Sequence, residues 1–263
     1  LAGIFIQTES SIYDANANKS GGWKGKRAFR LVNKTKESEL VTSFVFAPVD
    51  EQPVADFKPG QYLGIEIISE HFEHTEIRQY SLSDKPNGKT YRISVKREQG
   101  DQDGLVSNFL HDHLHIDDVV DLYAPVGDFY FIDKRAPVVL ISAGVGMTPM
   151  QSMLEYKSDI KYSYPVTYLH ACESPEQYSF AQRIESICLN NHWENHTWFK
   201  EVDSMQLKSN QYEGLIDFEN VSLPTDNGDF YLCGPVDFMA FAKTRLEALG
   251  VCSSRIHYEV FGP

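Results

Sequence analysis

Over residues 27–125, apolar and polar positions alternate in short runs rich in β-branched and aromatic side chains. This is the pattern of strands buried on one face. The runs are 29–33, 40–47, 61–68, 77–83, 90–96 and 119–123, and the turns Pro59-Gly60 and Asn87-Gly88 stand between some of them. Six such runs predict a closed antiparallel six-stranded β-barrel. One helix, predicted over 105–113, interrupts them after the glycine-bearing loop 100–104. After Pro137 the texture changes. Val138-Val139-Leu140-Ile141 is a continuous apolar run, repeated in kind at 166–169 and 230–232, with helical stretches near 149–157, 175–189 and 236–249. Continuous apolar runs alternating with helices predict an open parallel α/β sheet with right-handed crossovers. The change of texture places a boundary between residues 134 and 135. At the other end, Leu1, Ile4, Phe5, Thr8 and Ile12 fall at helical spacing, and the polar run 16–22 follows. One helix and a linker are expected over residues 1–24, the helix needing something to dock on.

Composition narrows the partners. The chain of 263 residues carries a net charge of -13, which repels nucleic acid and anionic membranes as main partners. An anionic ligand must then be caught by local features. The four cysteines are widely spaced and form no Cys-x-x-Cys pair, so neither a zinc site nor a redox dithiol is expected, and reduced thiols suit a cytoplasmic protein. No apolar run is long enough to span a membrane. The chain opens on Leu1 rather than Met, as a piece of something longer would.

Four stretches carry candidate chemistry. In Arg78-Gln79-Tyr80-Ser81 strand alternation projects Arg78 and Tyr80 together, a planar cation and a ring suited to a phosphorylated aromatic cofactor. The segment Gly144-Val145-Gly146-Met147-Thr148-Pro149 joins the first parallel strand to its helix, where free N–H groups attract an anion. It lacks the third glycine of the dinucleotide fingerprint, so a tight structural turn and a phosphate turn are equally compatible with it. Cys233-Gly234-Pro235 repeats the theme after a later strand, and both turns should face one crevice at the strands' carboxyl ends. Gly104-Leu105-Val106-Ser107 opens the interrupting helix and offers another anion site or a plain serine cap. His111, His113 and His115 lack a completing carboxylate or cysteine, so a polar helix end is the better reading than a metal site.

Pro59-Gly60-Gln61-Tyr62, Arg78-Gln79-Tyr80-Ser81, Gly144 to Pro149, Cys233-Gly234-Pro235 and Tyr258-Glu259-Val260-Phe261-Gly262-Pro263, in that order, strongly resemble the ferredoxin-reductase-like module of bacterial flavohaemoglobins. The likeness covers nearly all of residues 25–263, and residues 1–24, with Gly21-Gly22-Trp23, look like the end of the last globin helix and its hinge. The resemblance implies an FAD-binding barrel over 25–134 and an NAD(P)-binding domain over 135–263. It implies that Arg78, Gln79, Tyr80 and Ser81 hold FAD, with Tyr62 against the flavin and Gln61 beside it. Gly104, Leu105, Val106 and Ser107 would meet the diphosphate, and Gly144, Gly146, Thr148, Cys233, Gly234 and Pro235 the nicotinamide nucleotide. Glu259 and Phe261 would lie near the flavin, with Tyr62, Ser81 and Glu259 nearest the chemistry. Two departures stand out: Val260 occupies a position that is often Cys in the family, and loop 100–104 is longer than in relatives.

The reading that follows is an FAD-dependent NAD(P)H oxidoreductase, passing single electrons to the haem of a globin domain absent from this chain. The reaction of the intact protein would be nitric oxide dioxygenation to nitrate. The alternatives are a free-standing flavin or ferric reductase of the same superfamily and, from another class, a non-catalytic interaction module. Glu173, following the second parallel strand with no arginine for a 2′-phosphate, favours NADH over NADPH.

Overall fold

The computed structural model describes residues 19–98, 105–203, 205 and 207–260. The chain divides into two compact units, Leu1–Lys36 with Leu40–Tyr130, and Glu37–Glu39 with Phe131–Pro263. The helix expected over residues 1–18 lies outside the described residues.

The first unit is built on six antiparallel strands: β1 (Lys26–Lys36), β2 (Val41–Pro48), β3 (Tyr62–Ile67), β4 (Glu76–Ser81), β5 (Tyr91–Lys96) and β6 (Val119–Val126). They lie in the order β4-β3-β6-β1-β2-β5. The two outer strands meet just past the end of β4, where Leu82 bridges Ile93 and the Ser83 amide donates to the Arg92 carbonyl at 2.9 Å. The sheet thus closes on itself, as the alternating pattern predicted. Phe29, Leu31, Phe44, Phe46, Leu63 and Ile65 face inward with no exposed surface, each stabilising the barrel by about 1.5–3 kcal/mol. Along the seam the hydroxyls of Ser43, Ser83 and Ser94 satisfy one another at 2.7–2.8 Å, which removes the cost of burying them.

Helix α1 (Leu105–Asp112) interrupts the strands as expected. Its carboxyl end is held by the Lys34 ammonium, which donates to the carbonyls of Leu110, His111 and Leu114 at 3.2, 2.7 and 2.8 Å, a cation where the helix dipole is negative. His111 is spent between the Thr42 hydroxyl (3.2 Å) and the Val95 carbonyl (2.9 Å). No group of three or more metal-ligating side chains stands together among the described residues.

The second unit is a parallel sheet of β7 (Val138–Ala143), β8 (Val166–Cys172), β9 (Glu194–Phe199), β10 (Gln211–Glu213), β11 (Asp229–Gly234) and β12 (Ile256–Val260). The order is β10-β9-β8-β7-β11-β12, with α2 (Met147–Asp159), α3 (Ala181–Asn191) and α4 (Val236–Ala248) among the connections. The sequence pattern announced only β7, β8 and β11. The others escaped because β9 opens on the polar Glu194-Asn195-His196-Thr197, β10 is three residues long and β12 lies at a half-exposed edge. The helix expected over 175–189 is divided: a 3-10 turn at Pro175–Gln177 is separated from α3 by Phe180, whose left-handed φ of 57° stops helix propagation.

Candidate functional site

In the first unit the pairing of β3 with β4 arranges the tetrapeptide Arg78-Gln79-Tyr80-Ser81. Tyr62 lies opposite Ser81, Leu63 opposite Tyr80, Gly64 opposite Gln79 and Ile65 opposite Arg78. Directly opposed residues share a face, so Arg78 and Tyr80 project on the side of buried Leu63 and Ile65, while Tyr62, Gln79 and Ser81 share the other. Tyr80 packs against the barrel core, and burial pushes its hydroxyl pKa up. The Arg78 guanidinium stays half-exposed and donates to the Glu76 carboxylate at 2.7 Å and to the Ile77 carbonyl at 2.9 Å. An exposed pair of this kind is weak and leaves most of the guanidinium's donors available to an anion.

Tyr80 feels the charges of both Arg78 and Glu98, and the Glu98 amide reaches the Ser107 hydroxyl at 3.5 Å. The fold therefore gathers Arg78, Tyr80 and the first turn of α1, with Leu105, Val106 and Ser107, into one neighbourhood. The opening amides of a helix have no partner within it. A cation, an aromatic hydroxyl and a helix amino end together make a donor set that fits a diphosphate on an aromatic cofactor. Gly104 lies outside the described residues.

Gln61 is held by backbone groups at both ends of its side-chain amide. It is buried, its Oε1 accepts from the Lys58 amide at 2.9 Å, and its Nε2 donates to the Gly127 carbonyl at 3.0 Å. Both ends of its amide brace the turn that carries Tyr62. Gly127, at φ 120°, was not singled out from the sequence. A Cβ there would stand 2.9 Å from Tyr62 Cε1, so the glycine makes room for the tyrosine ring; the Val126-Gly127-Asp128 turn signal was its only trace. Glu98 had no signal at all.

In the second unit the sheet runs outward from β7 to β10 on one side and resumes at β11 on the other. Between β7 and β11 the winding changes direction, the point beyond whose strand ends open α/β sheets take ligands. The two glycine turns meet there. Gly144, at φ 53°, turns the chain out of β7 into a 3-10 turn over Gly144–Gly146. A Cβ on Gly146 would lie 2.6 Å from the Cys233 carbonyl carbon, and one on Gly234 3.3 Å from the Ala143 Cβ. Each glycine thus lets one turn approach the other. The Thr148 hydroxyl donates to the Val145 carbonyl at 3.1 Å, closing the turn, and Pro235 precedes the first residue of α4.

Glu259 on β12 pairs in register with Cys233. Its Oε2 is buried without a hydrogen-bond partner among the described residues, and burial lifts its pKa to about 7. Burial, then the nearby Glu259 charge, raises the Cys233 thiol. An orphaned carboxyl beside two packed glycine turns fits a pyridine nucleotide that still has a polar group to offer. Phe261 lies outside the described residues. Glu173, just past β8, is paired with Lys200, just past β9, at 3.1 Å; Lys200 was not anticipated.

Residues 28–131 match the family described as the oxidoreductase FAD-binding domain, and residues 140–244 the oxidoreductase NAD-binding domain. The chain is 45% identical over 265 aligned residues, covering all of it, to a flavohemoprotein of Vibrio cholerae, and spans 66% of that relative's length. It is 46% identical to the crystal structure of the flavohem-like FAD/NAD-binding domain of nitric oxide dioxygenase from Vibrio cholerae. That likeness has a TM-score of 0.86 and covers 90% of this chain and 99% of the other. The fold is shared with a flavohemoglobin of Malassezia yamatoensis at 24% identity and a TM-score of 0.82, over 99% of this chain and 65% of that one. An antiparallel barrel followed by a parallel α/β sheet, with an FAD-binding and an NAD-binding domain in that order, makes this chain a member of the flavohemoprotein family, to which it corresponds as the oxidoreductase part.

Proposed function

We propose that this chain binds FAD through Arg78, Tyr80 and the first turn of α1, receives NADH over its two glycine turns, and delivers single electrons to the haem of a globin domain in the same polypeptide. In that intact protein the outcome is dioxygenation of nitric oxide to nitrate. The observation that carries the reading is the meeting of the Gly144–Gly146 and Cys233–Pro235 turns beside the orphaned Glu259 carboxyl, in a chain whose likeness to a flavohemoprotein runs through its whole length. When bound, the two cofactors supply hydride transfer and its division into single electrons. The chain's own residues do the rest. Arg78 and the amides of Leu105, Val106 and Ser107 fix an anionic diphosphate. Tyr62, seated against Gly127, and Ser81, its partner across β3 and β4, border the ring of the cofactor. Glu259, protonated up to about pH 7, holds a proton beside the nucleotide turn.

Glu173 repels a 2′-phosphate and so favours NADH. Lys200 softens that preference without reversing it, because both side chains are more than half exposed and such a pair is weak. The four cysteines are all free, which suits the reducing cytoplasm. No described helix is long and apolar enough to cross a membrane.

Absorption spectra and turnover assays test the reading. The purified chain, supplied with FAD, should retain the flavin absorption bands, show no Soret band and bleach on adding NADH without oxygen. It should then reduce ferricyanide but not dioxygenate nitric oxide. Failure to retain flavin would overturn the assignment, and equal rates with NADPH would overturn the preference for NADH.

A further inference from the structure

Residues 131–137, which open the second unit, are fastened along its parallel sheet at the strands' amino ends. The Ile132 amide donates to the Tyr231 hydroxyl at 3.1 Å, the Tyr162 hydroxyl to the Ala136 carbonyl at 2.7 Å, and the Asp229 amide to the Pro137 carbonyl at 2.9 Å. Lys134 and His257 both reach Asp229 Oδ1, at 2.7 and 2.9 Å. Phe131 leads the segment, its ring 5.6 Å from that of Tyr162 and 6.0 Å from that of Tyr231.

Under Phe131 lies Lys157, from the last turns of α2, with no exposed surface at all. Its Nζ is 3.1 Å from the Phe131 ring centroid and 3.8 Å from that of Tyr162. It has no hydrogen-bond partner among the described residues. Two effects compete for its charge state. Ring faces attract an ammonium, the more so when the pair is desolvated. Removing an ammonium from water without an acceptor opposes that attraction and disfavours the charged form. The charged groups facing the site are Asp133 on the segment and Asp229 on β11, and Asp229 is already engaged by Lys134 and His257. Tyr156 and Tyr162, near α2's carboxyl end, and Tyr231 on β11 contribute aromatic rings around Phe131. Burial outweighs the two carboxylates and pushes the Lys157 pKa down to about 6.

We propose that Lys157 is a proton-operated latch for segment 131–137: the seated segment keeps the amine uncharged under Phe131, and lifting Phe131 away is coupled to the uptake of one proton by Lys157. The sign follows from linkage. The seated amine titrates near 6, whereas a solvated one titrates near 10.5. Between those values the lifted form holds one more proton, so each unit of acidification raises the ratio of lifted to seated segment by about tenfold. Below about pH 6 both forms are charged and this dependence ends.

Amide exchange in the FAD-loaded chain reads this directly, at the Ile132 and Asp229 amides. When reclosing is fast, the rate is the opening ratio multiplied by an intrinsic hydroxide-catalysed rate that climbs about tenfold per pH unit. The two dependences cancel, so between pH 6.5 and 8.5 these two amides should exchange at a nearly constant rate in the parent chain, and Lys157→Met should restore a rise of about tenfold per pH unit. Equal slopes in parent and variant would overturn the latch. Should Lys157→Met fail to fold, a 13C titration of the Lys157 Cε in the parent chain decides. A midpoint near 6 supports the latch, and one near 10 shows a permanently charged, ring-held ammonium and overturns it.

Discussion

Single side chains in this protein are defined by whether their polar atoms are spent. Gln61 is named by its motif as a neighbour of the flavin, yet both ends of its amide are taken by backbone groups at 2.9 and 3.0 Å; Gln61→Leu should therefore weaken the turn under Tyr62 before it weakens any contact with FAD. Glu259 is the opposite case, a carboxyl oxygen buried with nothing to bond among the described residues. Burial raises its pKa from 4.5 to about 7. The folded chain therefore keeps a proton between those values that the unfolded chain has released. Its stabilising effect is fully present below about pH 4.5 and is lost as pH climbs through about 7, by at most about tenfold in the folding constant per unit. With Glu259 as the proton carrier, kcat/KM for NADH should decline above about pH 7 in the parent chain. Glu259→Gln should abolish that limb in the pH profile while leaving FAD content unchanged; a limb that survives the substitution would remove Glu259 from the proton's path.

At the scale of elements, the two glycine turns explain each other. The glycines of the first turn are, by sequence, equally compatible with phosphate binding and with tight turning, and the packing shows the second role directly: Gly146 lies where any Cβ would meet the Cys233 carbonyl. Close approach of the turns is also what brings both sets of amides to the point where the sheet changes winding direction. Gly146→Ala must push β11's end away from β7's, a backbone shift of the kind that costs about 1–3 kcal/mol. The expected outcome is a KM for NADH raised by about tenfold or more with normal FAD content. An unchanged KM would show that the turn tolerates separation and that the nucleotide lies elsewhere. Phe180 makes the same point about helices, since its left-handed backbone divides a stretch whose composition read as one helix.

For the whole molecule, the decisive fact is that each unit has its own core. Phe29, Phe44, Leu63 and Ile93 belong to one and Val139, Ile141, Phe230 and Leu246 to the other. A lesion at the FAD site should then leave the nucleotide unit standing. Arg78→Ala removes charge-assisted bonds worth about 1.5–3 kcal/mol, so the FAD Kd should rise by roughly 10- to 100-fold. Far-UV dichroism and binding of NAD+ should be retained. Collapse of the second unit in that variant would show that the flavin site and the nucleotide unit depend on one another for folding.

Everything carried by periodicity and by short motifs was legible in the order of residues. Alternation announced the barrel, continuous apolar runs announced β7, β8 and β11, and the ordered motifs carried the family resemblance, because each depends on residues near one another in the chain. Edge strands β10 and β12 and the polar-led β9 were illegible, since a strand at a sheet edge need not be apolar on both faces. Packing alone establishes that Gly127 makes room for Tyr62, that Glu98 links Tyr80 to Ser107, that Lys200 faces Glu173 and that Lys157 lies under Phe131. Each of these joins residues 9 or more positions apart along the chain. The physical reason is that burial and unpaired polar atoms are properties of a packed interior, and no local pattern of residues specifies them.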